Sequence, residues 1–345
     1  MAEKPLKTID LEQWYHTHGR TDLPWRTTDN PYHIYLSEVM LQQTQVKTVL
    51  DRYYFQFLER FPTLQALADA PEGDVLKMWE GLGYYNRARN LHKAAQRAAP
   101  ALPTTIDELI ALPGIGKNTA HAVACFAFGH AVPILEANVK RILYRMFARK
   151  IATDTELWQY AEQMLNKKDA FTHNQALMDI GSFICTPKNP KCDDCPIFEH
   201  CSGRDNPESY PAKKAKKKTP IRTKSIIIIM HPDGTVYMTP RTSKFLGGLY
   251  SFMEYDLSDF NTKSSLKWHQ LNIVKNELTL LGGVTQSYSH FTLEAELYLY
   301  HLSQPLPSNI VTDTQWHNIE QLSKLAMSRA DSKAVALLKH HIENK

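Results

Sequence analysis

Cys185, Cys192, Cys195 and Cys201 fall within seventeen residues, spaced C-x6-C-x2-C-x5-C. Four thiols that close together are either bridged or bound to metal. The opening stretch, MAEKPLKTIDLEQWY, carries no apolar h-region, so a secretory signal is not expected. Disulfides are then not expected either, and the cluster reads as a metal site. Zinc takes four thiolates tetrahedrally, and a [4Fe–4S] cluster takes them equally well. Spacing alone does not choose between them. A fifth cysteine, Cys125, lies in the apolar run AHAVACFAFG and is expected as a packed core thiol.

At 345 residues the chain exceeds one typical domain, so two are expected. No run approaches the roughly 18 apolar residues needed to cross a bilayer, so no membrane span is expected. Net charge is only +4, but PAKKAKKK at 211–218 holds five lysines in eight residues. Such a run suits a solvated linker that can lie along a polyanion.

The pattern changes across that linker. Upstream, Asn30 and Pro31 form an N-cap and N1 pair that starts a helix through HIYLSEVML. The polar QQTQ at 42–45 breaks it. A second helix carries Val46, Val49, Leu50, Tyr53 and Phe57 on one face. Further helices fit 74–80, 86–98, 105–111, 117–128, 137–147 and 156–165, and no strand is expected before 220. Downstream, SIIIIM, HPDG and TVYMT read as strand, turn and strand. ELYLYHL at 296–302 is another strand, and SRADSKAVALLKHHI is a closing helix. The divisions expected are 1–205, a basic linker at 206–222, and a smaller α+β domain at 223–345.

Two motifs carry chemistry. Leu112-Pro113-Gly114-Ile115-Gly116, between predicted helices, reads as a helix-hairpin-helix turn. Its two glycines expose amides beside a helix N-terminus, a geometry suited to holding a DNA phosphate without reading any base, and suited also to an ordinary interhelical turn. In Pro-Ile-Leu-Glu-Ala-Asn-Val-Lys-Arg (133–141), Glu136 precedes a basic helix. It also suits the ordinary role of a first-turn carboxylate, stabilised by about 0.3–1 kcal/mol through the helix dipole.

These motifs together resemble the endonuclease III superfamily of helix-hairpin-helix DNA glycosylases. More narrowly, LPWR (23–26), PYHIYLSEVMLQQTQV (31–46), GLGYYNRARNLHKAA (81–95), PILEANVKR and NQALMDIGSFIC (174–185) resemble the adenine DNA glycosylases. The resemblance implies a mostly α glycosylase domain whose cysteines hold a [4Fe–4S] cluster, which decides against zinc. It also implies a Nudix-like C-terminal domain that recognises 8-oxoguanine; RTSKFLGGLYSF and Tyr288-Ser289-His290-Phe291 stand at family motifs. No REx-x-E box of nucleotide-hydrolysing Nudix proteins is present, so that activity is not expected. The expected substrate is double-stranded DNA with adenine opposite 8-oxoguanine or guanine. A monomer in the bacterial cytoplasm, at the nucleoid, is expected.

The resemblance assigns roles residue by residue. Glu38 matches the glutamate that protonates adenine and helps activate water, which calls for a raised pKa. Glu136 stands where the family has aspartate, the residue that stabilises the sugar cation, and Ala137 stands where it has glycine. Asn138 keeps the motif and would orient the carboxylate or water. Asn118 takes the place at which bifunctional relatives carry an imine-forming lysine, so a monofunctional enzyme is expected. Gly114, Gly116 and Lys117 would meet phosphate, as would Arg87, Arg89 and Lys140. Gln43 and Tyr84 would probe the base stack, with Thr44 and Leu82 near 8-oxoguanine. Trp25 and Arg26 would line the adenine side, while Tyr288, Ser289 and His290 would contact the oxidised guanine. Two alternatives follow: a lesion-binding or weakly active variant, motivated by Glu136 and Ala137, and a mismatch glycosylase of different base preference.

Overall fold

A computed structural model describes residues 8–213, 219–243, 245–269, 271–305 and 313–344. The lysine run at 214–218 lies outside them. Two compact units emerge. The segment Ala70–Arg89 joins the C-terminal half of the chain, and the remaining N-terminal residues, through Asp69 and from Asn90 onward, form the other unit.

The first unit is helical. Its elements are α1 (Thr8–His18), α2 (Pro31–Leu41), α3 (Val46–Arg52), α4 (Tyr54–Arg60) and α5 (Leu64–Ala68). The segment after Ala70 supplies α6 (Glu72–Met78), and α7 (Asn86–Ala98) carries the chain back. Then come α8 (Ile106–Ile110), α9 (Lys117–Phe128), α10 (Ala137–Met146), α11 (Asp154–Met164) and α12 (Ala170–Phe183). The expected cap of α2 forms, Asn30 Oδ1 accepting the Tyr32 N–H at 3.0 Å. QQTQ turns as expected. The helix expected from Val46 through Phe57 is divided, because Tyr53 leaves the helical region (φ −125°) and restarts the chain as the N-cap of α4. A central core joins Leu11 and Tyr15 of α1 to Leu135, Val139, Ile142, Leu143, Leu157, Leu177 and Ile180. Cys125 is buried beside Ile34, Phe126 and Ile134, the core thiol expected.

The second unit centres on a mixed sheet. Its strands are β1 (Ile221–Met230), β2 (Val236–Tyr237), β3 (Thr239–Pro240), β4 (Tyr250–Ser251) and β5 (Met253–Asp256). They are followed by α13 (Leu257–Thr262), β6 (Ser265–Trp268), β7 (Leu271–Val274), β8 (Thr279–Ser287), β9 (Thr292–His301), β10 (Trp316–His317) and α14 (Arg329–Glu343). The main sheet runs β10-β2-β1-β9-β8, with β5 also paired to β1. β1 lies parallel to β9 along its whole length. This explains four consecutive isoleucines: a central strand covered on both faces has no solvent side to mark with polar residues. Ile226 and Ile228 enter a core with Ala334, Val335 and Leu338 of α14. Ile227 and Ile229 enter the opposite core with Phe260 of α13, Leu266 and Trp268. No strand occurs before 221 among the described residues, and no helix there is long and apolar enough to cross a membrane.

Candidate active site

Glu38 is the only carboxylate of α2. Its neighbours Tyr35, Leu36, Val39 and Met40 are buried, so the charged form loses hydration. Burial pushes the Glu38 carboxyl up, the negative charge of Glu136 pushes it further, and Arg26 opposes; the result is about 7. A carboxyl at that value is an acid at neutral pH, and a base once its proton has gone.

The chain reaches Glu136 through an extended stretch held by side chains from two helices. Asn174 of α12 accepts the Ile134 N–H at 3.1 Å and donates to the Val132 carbonyl at 2.9 Å. From α9, Asn118 Oδ1 accepts the Leu135 N–H at 2.7 Å, and His121 Nδ1 lies 3.0 Å from the Pro133 carbonyl oxygen. Glu136 is the N-cap of α10, its Oε1 accepting the Asn138 N–H at 3.1 Å. It therefore fills the ordinary helix-start role, yet its own charge reaches Glu38. Burial raises the Glu136 carboxyl; the backbone N–H groups of Asn138 and Val139, Arg141 and the Asn138 side chain oppose but do not cancel this.

Asn138 is fixed in turn. Its Oδ1 accepts from Arg141 at 2.8 Å, and Arg141 also donates to the carbonyls of Gly181 and Cys185, both at 2.6 Å. A Cβ on Gly181 would stand 2.5 Å from Asn138 Cβ, so the glycine makes room for this side chain.

Trp25 and Arg26 are interior residues. Trp25 packs edge-on against Tyr54 at 5.1 Å. The Arg26 side chain is 3% exposed and donates to both oxygens of Asp179, at 2.7 and 2.9 Å. Arg20 adds its backbone N–H at 2.8 Å and its Nε at 2.9 Å to the same fully buried carboxylate. Burial pushes Asp179 up, but Arg26 and Arg20 outweigh it and hold the carboxyl below its usual range. Arg26 thus reaches Glu38 as a nearby fixed charge. Sequence reasoning missed Asp179 and Arg20. The available signal was an acid on the otherwise buried face of α12.

The hairpin has the expected turn. Gly114 takes φ 76°, and a Cβ there would stand 2.4 Å from Asn90 Cβ. Gly116 caps α9 without a side-chain bond, and a Cβ there would meet nothing within 4 Å, leaving that amide end open. Lys117 places its ammonium over the Trp158 ring at 4.3 Å. Two other basic residues expected at phosphate are engaged within the protein, Lys140 with Asp154 at 2.7 Å and Arg89 with Glu72 at 3.4 Å. Arg87 stacks over the rings of Trp79 and Tyr84 at 5.5 Å.

Gln43 is exposed at φ 57°, with half-buried Thr44 after it. In the second unit, Tyr84 is 45% exposed at φ 51°, while Leu82 is 7% exposed. Left-handed backbone is uncommon for residues with side chains and accompanies functional loops. Ser289 and His290 are exposed in the turn between β8 and β9, Ser289 Oγ lying 3.1 Å from His290 Nδ1. Tyr288 packs inward against Phe245 (5.3 Å) and Phe291 (4.9 Å), so within this turn it anchors the two exposed residues.

The four clustered cysteines are half-buried, and Cys185, Cys195 and Cys201 pack against the helical core. Burial, with neighbouring cysteine charges adding to it, pushes the Cys195 thiol up to about 12. Among the described residues no group of three or more metal-binding side chains is gathered tightly enough for a single ion, so the fit rests on donor chemistry. Four adjacent thiols suit an iron–sulfur cluster, whose positive charge makes the thiolates favourable. The buried Arg145 guanidinium donates to Cys185 Sγ at 3.2 Å and to the Thr186 and Pro207 carbonyls.

Residues 36–167 match the HhH-GPD superfamily of base excision DNA repair proteins. Residues 185–201 match the iron–sulfur binding domain of endonuclease III, and residues 225–337 match a NUDIX domain. The loop carries a [4Fe–4S] cluster. The chain is similar to the adenine DNA glycosylase of Buchnera aphidicola subsp. Schizaphis graminum, with 37% identity across 84% of this chain and 86% of that protein. It is similar to the human adenine DNA glycosylase, with 30% identity across 96% and 74% respectively. The helical part resembles the solved structure of a thermostable thymine-DNA glycosylase (TM-score 0.53, 29% identity, 57% of this chain and 94% of that one). With a helix-hairpin-helix glycosylase region, an iron–sulfur loop and a Nudix-like α+β domain in one chain, this protein belongs to the adenine DNA glycosylase family.

Proposed function

We propose that the chain removes adenine mispaired with 8-oxoguanine or guanine, as a monofunctional glycosylase of base excision repair. The observation that carries this is the protonatable Glu38 within electrostatic reach of Glu136. Adenine leaves the helical stack for a pocket at this pair. Glu38 gives its proton to N7 as the bond from sugar C1′ to adenine N9 breaks, and its carboxylate then takes a proton from the attacking water. Glu136 faces the oxocarbenium-like sugar, the second carboxylate of the two that glycoside hydrolysis uses. Asn138 orients Glu136, and Arg26 acts through its charge on Glu38. Asn118 offers no amine, so no imine forms and the strand stays intact.

Cys185, Cys192, Cys195 and Cys201 would hold the cluster, which when bound supplies a metal crosslink across the loop. Gly114, Gly116 and Lys117 grip the DNA backbone. Gln43 and Tyr84 probe the stack, Thr44 and Leu82 lie beside the 8-oxoguanine, and Tyr288, Ser289 and His290 read it. The protein would work as a monomer on nucleoid DNA in the bacterial cytoplasm.

A second reading rests on Glu136. Its extra methylene relative to aspartate displaces the carboxylate, and a misplacement near 1 Å costs on the order of 10²-fold in rate. A lesion binder with slow excision follows from that. Single-turnover excision on A·8-oxoguanine, A·G and T·G duplexes, with and without alkali, separates the readings. Rapid alkali-dependent cutting of A·8-oxoguanine supports the first, tight binding without cutting supports the second, and preferential cutting of T·G contradicts both.

A further inference from the structure

The loop between α6 and α7 uses conformations that need support. Gly81 (φ 89°), Gly83 (φ 79°) and Tyr84 (φ 51°) are all left-handed, and for tyrosine this is a strained state that its surroundings must offset. Some support is local: Trp79 Nε1 donates to the Gly83 carbonyl at 3.1 Å, and Arg87 donates to it at 3.2 Å. More comes from the C-terminal half of the chain. The buried Tyr85 hydroxyl accepts the Gly81 N–H at 3.3 Å and donates to the Met327 carbonyl at 3.2 Å. Around that bridge, Lys77 donates to the Leu325 carbonyl at 3.2 Å, and Ser332 donates to Glu80 at 3.1 Å. A Cβ on Gly248 would lie 3.5 Å from Leu76 Cδ1.

We propose that Tyr85 is a positioning residue for lesion discrimination: its hydroxyl fastens the 81–84 loop to the 325–332 segment of the Nudix-like domain. Leu82 and Tyr84 are thereby presented from the same compact unit that carries Tyr288, Ser289 and His290. Opposite-base recognition then draws on one preorganised unit. Preorganisation matters because ordering a loop on binding costs affinity, and a loop already ordered has less to lose. The inference rests on the reading above, in which these residues meet the mispair.

The test is binding by full-length Tyr85→Phe, with its cluster loaded, to duplexes holding a non-hydrolysable 2′-fluorinated adenosine opposite 8-oxoguanine or guanine. Phenylalanine keeps the ring and deletes only the bridging hydroxyl. The preference for 8-oxoguanine is expected to fall about fivefold, the weight of one ordinary hydrogen bond, with a thermal midpoint lowered by no more than loss of that bond accounts for. Adding Tyr85→Phe to Leu82→Ala/Tyr84→Ala is expected to cause no further loss of preference, because the hydroxyl acts through these two loop residues. An unchanged preference overturns the proposal. So does an equal loss on both duplexes, which marks a purely structural tyrosine. Wild-type protein that prefers 8-oxoguanine yet never excises adenine contradicts the catalytic reading alone, because this readout needs no bond cleavage.

Discussion

Asn118 Oδ1 accepts the Leu135 N–H at 2.7 Å, one residue before Glu136. The Asn118 side chain thus holds the extended stretch that leads into Glu136. Asn118→Ala strands a part-buried amide, which costs about 1–3 kcal/mol. The expected outcome is a lowered thermal midpoint and a single-turnover excision rate reduced at least tenfold. Wild-type protein is expected to give no strand cleavage without alkali and no borohydride-trapped adduct.

Asp179 is the shared partner of Arg20 and Arg26. Asp179→Asn removes the charge and leaves a buried guanidinium poorly paired, a change that costs about 3–5 kcal/mol. Denaturant unfolding followed by a probe in the helical unit measures it. A loss under 1 kcal/mol would show that water or another group compensates Arg26.

The raised Glu38 value sets a pH dependence. Its ordinary value is 4.5 and its folded value about 7. Between those limits the folded protein holds a proton that the unfolded chain has released, so this group's contribution to stability falls as pH rises. Excision that needs the protonated acid falls through the same range, giving an alkaline limb near 7. Glu38→Gln should abolish excision and, at pH 8, stabilise the fold by on the order of 2 kcal/mol. A pH–rate profile flat from 6 to 8.5 would contradict this assignment.

Removing the iron–sulfur cluster should loosen the 185–201 loop from the helical core. Cys195→Ser is expected to lose the brown colour and visible absorption, and to lower the unfolding midpoint of the helical unit. Retention of full colour would exclude Cys195 as a ligand.

Much of this was legible in the sequence, for identifiable reasons. Helices 86–98 and 117–128 appear with the expected bounds, because amphipathic spacing stops just before Pro100 in one and an apolar run ends at Gly129 in the other. The break at Tyr53 was not legible, since no glycine or proline marks it and packing of Tyr54 and Phe57 imposes it. β1 starts four residues before the apolar run, because pairing to β9 orders Ile221 to Lys224 without needing their burial. The Arg26–Asp179 pair spans 153 residues, and no local pattern announces it. The attachment of 70–89 to the C-terminal half was equally hidden. Its acceptors include the carbonyls of Leu325 and Met327, and a backbone oxygen has no sequence signature.

Glu136→Gln tests the central claim most directly. Glutamine can still accept the Asn138 N–H, so the cap of α10 survives while the charge that helps raise Glu38 disappears. Single-turnover excision of adenine opposite 8-oxoguanine is expected to fall on the order of 10²-fold or more, with binding to the uncut duplex retained. Excision by Glu136→Gln at the wild-type rate would contradict the account.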